Sequence, residues 1–187
     1  MIEEHFAALC TALQRTSSYA PKVGYWGREL AAVLDNGGRL LACGNGGSAA
    51  EAQHLTGELV GRFHHERQPL SAIALHADTS AGTAIVNDYG GHELFARQVR
   101  AHGRPGDILI LLSTSGTSQN VVAAAKAGQD IGVGTWAMTG PAPNPLAALC
   151  DDAIAVEAPS TATVQEVHLA LVHALCAELD EALGIPA

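Results

Sequence analysis

The stretch "LLACGNGGSAAEAQHLTGELVGRF", Leu40 to Phe63, decides the fold. It opens on a short apolar run, turns through Gly44, Asn45, Gly46, Gly47 and Ser48, and continues with the composition of a helix. A glycine-rich turn between a strand and a helix can bring backbone N–H groups to an anion at the positive end of that helix. Glycines also make tight turns that hold nothing, so the turn alone leaves both readings open. The helix beyond it carries His54 and Glu58 four residues apart. Such a pair lies about 40° apart around the axis and about 6 Å along it, within reach of one ion or one substrate. That geometry permits a metal ion, an acid and base beside a carbonyl, or a plain hydrogen bond.

Outward from this stretch the same alternation continues. Short apolar runs at "RLLAC" (39–43), "SAIAL" (71–75), "DILILLS" (107–113), "VGTWAM" (133–138) and "DAIAV" (152–156) are separated by longer stretches of helical composition. This predicts a parallel sheet covered by helices on both faces. Ahead of it, Ile2, Phe6, Leu9 and Leu13 form one helical apolar stripe, which "SSYAP" breaks. A second stripe runs through Val23, Trp26, Leu30, Val33 and Leu34 to "DNGG". Thr161 to Leu183 reads as one long helix with Val164, Val167, Leu171, Leu175 and Leu179 on or near its apolar side. There is no internal repeat or low-complexity linker. The expectation is a single α/β domain over 1–187, a helical pair at 1–36 and an α/β core at 37–187: a three-layer α/β/α sandwich around a five-stranded parallel sheet.

Composition narrows the function. The 187 residues are 48% hydrophobic and 16% charged, enough for a sizeable core. Ten Lys and Arg against 19 Asp and Glu give a net charge of -9, so no broad basic field exists for nucleic acid or an anionic membrane, and an anionic ligand has to be held by local dipoles. Cys10, Cys43, Cys150 and Cys176 show no CxxC spacing, which predicts reduced, buried thiols and a cytoplasmic location. The densest apolar run, Ile108 to Leu112, is far too short to span a bilayer, and no signal peptide is expected.

A second turn could bind an anion. The run Ile108–Leu112 ends in Ser113, Thr114, Ser115, Gly116, Thr117 and Ser118 before a helix. These hydroxyls, with the free N–H groups of a helix start, form a neutral cradle for a phosphate. One hydroxyl suffices to cap the helix, and the surplus favours phosphate. The carboxyl ends of parallel strands are also where open α/β sheets bind ligands. On the last helix Gln165 and His173 are possible complements to His54 and Glu58, and His168 reads as a structural hydrogen-bonding residue. The nine histidines of the chain include His64, His65, His92 and His102, which read as solvated.

The blocks "GNGGSAAEAQHLTGELVGRF", "TAIVNDYG", "GRPGDILILLSTSGTSQNV" and "VQEVHLALVHAL", in this order and spacing, resemble the sugar isomerase (SIS) family over nearly the whole chain. The resemblance implies an aldose–ketose isomerase acting on a phosphosugar in heptose biosynthesis. The reaction it implies converts sedoheptulose 7-phosphate to D-glycero-D-manno-heptose 7-phosphate through an enediol. It implies substrate contacts from Asn45, Gly46, Gly47, Ser48, Glu58, Asn87, Asp88 and Gln165, with Ser113, Thr114, Ser115 and Ser118 as the phosphate cradle. It implies a proton-transfer pair of Glu58 and His173, and one zinc ion per subunit, at partial occupancy, on His54, Glu58, Gln165 and His173. It also implies a homotetramer with sites at subunit interfaces. Gln165 and His173 lie about 12 Å apart along one helix, which makes their convergence on one ion from the same chain awkward and agrees with a shared site. Thr163 and Thr117 stand where many relatives carry Arg and Asn, which bears on substrate preference rather than reaction class. Two alternatives stay open: an isomerase of another phosphosugar, and a non-catalytic binding module on the same fold, similar to the replication-initiator-associating protein. Glu58 and His173 discriminate against the binding module.

Overall fold

The computed structural model describes residues 1–185. The two N-terminal apolar stripes become helices α1 (Ile2–Thr16) and α2 (Ala20–Asp35), joined by a single 3-10 turn at Ser17–Tyr19. The core alternates as expected: β1 (Leu40–Cys43), α3 (Gly47–Val60), β2 (Ala72–Ala74), α4 (Thr79–Tyr89), α5 (Glu93–His102), β3 (Ile108–Ser113), α6 (Gln119–Asp130), β4 (Gly134–Thr139), α7 (Pro145–Leu149), β5 (Asp152–Ala155) and α8 (Thr161–Ala182). Each of the five apolar runs forms a strand. All neighbouring strands pair in parallel, in the order β2-β1-β3-β4-β5.

Successive side chains on a strand point to opposite faces, and here the sequence fills both with apolar residues. Leu40, Ala42, Ile108, Ile110, Leu112, Trp136, Met138 and Ile154 pack with α2, α3 and α8. Leu41, Cys43, Leu109, Leu111 and Ala137 pack with α5 and α6. This is why β1 and β3 read as unbroken apolar runs rather than alternating ones, and it is the three-layer sandwich expected. The stacked rings of Trp26 on α2 and Trp136 on β4, 4.9 Å between centroids, fasten the N-terminal pair to the sheet.

The α1 stripe is helical as read, and much of it faces outward: Phe6 is 60% exposed, Ile2 and Leu13 are exposed too, and only Ala12 and Thr16 are buried on this helix. One expectation changes. Of the cysteines, Cys43 and Cys176 are buried, whereas Cys150 is half-buried and Cys10, on the uncovered α1, is exposed. All four are free thiols.

Strand order places the switch in winding direction between β1 and β3, because the chain leaves β1 for β2 on one side and reaches β3 on the other. Crevices at such points, outside the carboxyl ends of the strands, are the usual ligand sites of doubly wound sheets. The two turns singled out from the sequence follow those two strands.

Candidate active site

The glycine turn is shaped by close approaches that exclude any side chain. Gly46 has φ +57°, a left-handed conformation that favours glycine. A Cβ on Gly44 would lie 2.6 Å from the backbone oxygen of Ser48, and one on Gly47 would lie 2.6 Å from the side-chain amide of Gln165. Ser48 is buried beneath the turn. Gln165 of α8 therefore rests on the first residue of α3.

The hydroxyl turn after β3 is held from within and from behind. Ser113 Oγ donates to Ser118 Oγ (3.2 Å) and accepts from the Gly116 N–H (3.2 Å), while Ser115 Oγ accepts from the N–H and hydroxyl of Thr117 (3.2 and 3.0 Å). Gly116 has φ +63°, and a Cβ there would collide with the Asn144 side chain at 2.1 Å. The Gly116 carbonyl accepts from the Leu146 N–H, and the Thr114 carbonyl from the Gly140 N–H. Ser118 occupies the N-cap of α6 but makes no side-chain capping bond, so the capping reading does not account for these hydroxyls. Residue 120 was not foreseen. Asn45 Nδ2 donates to Asn120 Oδ1 (2.9 Å) and Asn120 Nδ2 donates back to Asn45 Oδ1 (2.8 Å), joining the two turns across the β1/β3 crevice. The only sequence signal for Asn120 is its place just after the hydroxyl turn.

Along α3 the site continues. Gly47 meets Gln165, and His54 Nε2 stands 3.0 Å from His173 Nε2. The two helices therefore run side by side in the same direction, with a seven-residue step on one matching an eight-residue step on the other. His54 Nε2 also lies 2.9 Å from Glu58 Oε1. One donor atom from each of His54, Glu58 and His173 lies within 4.8 Å of the others. This changes the reading of spacing: His54, Glu58 and His173, three of the four implied metal ligands, meet within one chain, and Gln165 lies on the same α8 with its side chain against Gly47.

The cluster fits a divalent ion on its own chemistry. A single proton on His54 Nε2 would be divided between two acceptors, whereas a cation accepts from all three atoms. Two imidazole nitrogens and a carboxylate oxygen suit zinc. Beneath the cluster, burial and then the carboxylates of Glu58 and Asp180 push the Cys176 thiol up to about 12 against the opposing charge of Arg67, so it stays a neutral core group and not a nucleophile.

Behind these groups His168 is fully buried and its Nε2–H donates to the Thr139 carbonyl (3.1 Å), the structural role expected. His64, His65, His92 and His102 are exposed, as expected. Asn87 and Asp88 lie exposed on α4, where Asn87 Nδ2 donates to Asp88 Oδ1 (2.8 Å). No residue of α4 is buried.

Comparison with known proteins agrees with this architecture. Residues 4–140 match the SIS domain family. A phosphoheptose isomerase of Streptomyces coelicolor is 63% identical over 179 residues, 96% of this chain and 78% of that protein. The chain belongs to the SIS domain family, in its phosphoheptose isomerase branch. Two solved SIS structures are similar throughout. The phosphoheptose isomerase of Neisseria gonorrhoeae superposes with a TM-score of 0.88 at 42% identity, covering 96% of this chain and 97% of that one. That of Francisella tularensis gives 0.91 at 36% identity, covering 96% of each. Among the described residues no helix is long and apolar enough to cross a membrane.

Proposed function

We propose that the chain isomerises sedoheptulose 7-phosphate to D-glycero-D-manno-heptose 7-phosphate. The observation that carries the reading is the tie between a phosphate-ready turn and an acid–base cluster. The hydroxyl turn is linked through Asn120 and Asn45 to the start of α3, and Glu58, His54 and His173 converge farther along that helix. In an open-chain heptose 7-phosphate the phosphate lies at the far end of the carbon chain from the reacting C1 and C2.

Ser113, Thr114, Ser115 and Ser118, with the N–H groups opening α6, hold the phosphate without a basic side chain. Asn45, Gly46, Gly47, Ser48 and Gln165 contact the sugar near the glycine turn. Glu58 takes a proton from C1 of the ketose, His173 moves the proton between O1 and O2 of the enediol, and Glu58 returns a proton to C2. No atom is gained or lost. Zinc would be held by His54, His173 and Gln165, with Glu58 as a ligand only when its carboxylate is not serving as the base, and would supply polarisation of the substrate's carbonyl oxygen. A binding module with no reaction to run has no chemical need of Glu58 and His173.

A homotetramer belongs to this reading. Support comes from helices that lack cover: α1 exposes Ile2 and Phe6, and α4, which carries Asn87 and Asp88, buries nothing and exposes Val86 and Tyr89. An amphipathic helix with its apolar side in water calls for a partner. A neighbouring subunit covering α4 would bring Asn87 and Asp88 to a site. Free thiols support a cytoplasmic location. The deciding experiment is to incubate purified protein with sedoheptulose 7-phosphate and follow the C1 and C2 signals by NMR. Appearance of the aldose is expected, and an unchanged ketose spectrum overturns the reading.

A further inference from the structure

We infer that Arg67 is a positioning residue, which clamps the end of α3 to α8 and so fixes the separation of Glu58 and His173. The inference rests on the isomerase reading for its kinetic consequence, though not for its geometry.

Arg67 follows α3 in an irregular loop, yet it is only 8% exposed. Its Nη2–H donates to the carbonyl of Glu58 (2.8 Å) and its Nη1–H to the carbonyls of Leu59 (2.9 Å) and Gln68 (3.2 Å). Its Nε–H donates to Asp180 Oδ1 (2.8 Å) on α8, two turns beyond His173. One guanidinium thus holds the backbone of the residue that supplies the base and the helix that supplies its partner.

Stability alone does not call for this arrangement. Orphan carbonyls at a helix end can be met by water, and a buried ion pair often does no better than apolar residues of similar size. The last turn of α3 has its own reason to need a clamp. Gly57 immediately precedes Glu58, the helix ends at Gly61, and a Cβ on Gly57 would meet nothing within 4 Å. Glycine in a helix interior and the lack of packing on that side both favour fraying of the turn that carries Glu58. At the other end of the helix pair Gln165 already rests on Gly47. With Arg67 and Asp180 at the far end, the cluster of His54, Glu58 and His173 lies between two fixed points.

Removing Arg67 alone leaves Asp180 buried and unpaired, which threatens folding for reasons unrelated to position. The test therefore uses the double variant Arg67→Met/Asp180→Leu, with Asp180→Asn as a milder companion that keeps an acceptor for Arg67. In the double variant the melting temperature should return close to that of the wild type. Inhibition by inorganic phosphate and KM should hold, because the hydroxyl turn lies on other elements. kcat should fall about 10- to 100-fold, since misplacement on the order of 1 Å can cost that much. The ring-nitrogen NMR signature of the His54–His173 contact should weaken in parallel. Asp180→Asn should show the same pattern at smaller amplitude, and it carries the test if the double variant does not fold. Wild-type kcat and an unaltered ring-nitrogen signature in whichever variant folds overturn the clamp. A wild-type protein inert toward sedoheptulose 7-phosphate would defeat the isomerase reading instead, and the NMR signature would still judge the clamp without turnover.

Discussion

Asn45 and Asn120 exchange two amide hydrogen bonds, 2.9 and 2.8 Å, across the crevice between β1 and β3. The pair makes one surface of two turns that arise 75 residues apart in the chain. Asn120→Ala should loosen the phosphate turn relative to the sugar contacts. Each of the two lost hydrogen bonds is worth about 0.5–1.5 kcal/mol, so KM should rise by roughly fivefold to a hundredfold, with little change in melting temperature because both residues lie at the surface of the fold. Steady-state kinetics beside a thermal melt would check this, and an unchanged KM removes Asn120 from the site.

Glu58→Gln keeps the shape of the side chain and removes the carboxylate proposed as the base. Turnover should fall by about 10²–10⁴-fold, while the melting temperature and inhibition by inorganic phosphate stay near wild-type values. Turnover close to that of the wild type would mean that another group takes the proton.

Replacing Ser115 and Ser118 by Ala tests the neutral cradle. Hydrogen bonds to a charged group are worth about 1.5–3 kcal/mol, so KM should rise at least tenfold and phosphate should inhibit correspondingly less. If both constants hold, the phosphate is bound elsewhere.

The parts of this protein that follow from local pattern were legible in its sequence. All five strands and the long last helix could be read, because an apolar run between helical stretches has one stable use in a two-faced parallel sheet. The turn from Thr114 to Ser118 could be placed because its small polar residues and Gly116 separate an apolar run from a helical stretch. What escaped depends on which distant elements lie together. The eight-residue step from Gln165 to His173 looked too long for one site, and only the parallel run of α8 beside α3 shows that Gly47 and His54 receive them separately. Arg67 gave no signal at all, since nothing near it in the chain marks it as buried. The α1 stripe shows the converse limit: helical period predicts an apolar face, and here Phe6 and Ile2 on that face stay exposed among the described residues.

Asp152 gives a pH test of how the N-terminal helices are fastened. Burial alone would raise its carboxyl. The hydrogen bonds from Lys22, the Trp26 indole and the Ala153 N–H, together with the Lys22 charge, outweigh burial and hold it below the usual carboxylate range. A carboxyl depressed by folding adds stability that is present above its unfolded value, about 3.9, and lost as pH falls through the folded value. Asp152→Asn should therefore melt lower than the wild type at neutral pH, and the gap should close as the pH is taken well below 4. A gap that persists unchanged in acid would mean that the carboxylate charge contributes nothing.

The metal is the prediction most exposed to experiment. His54, Glu58 and His173 offer three donor atoms within 4.8 Å of one another in a single chain, and three protein ligands with an open position are the pattern of a working zinc site. Thiolates are lacking in this set, so zinc should be held loosely and recovered at partial occupancy. Glu58 cannot be a firmly held ligand and a free base together. If the ion serves the reaction, turnover should pass through a maximum as zinc is added, falling when saturation immobilises Glu58. If it serves only the fold, chelator should lower the melting temperature without that maximum in activity. His54→Ala separates these further: it removes one ligand while leaving Glu58 and His173, so zinc content measured by elemental analysis should drop sharply, with a smaller loss of turnover than Glu58→Gln produces. A protein that carries no zinc, and whose activity and melting temperature ignore both zinc and chelator, would leave the cluster as a hydrogen-bonded acid–base group and the ion without a place in it.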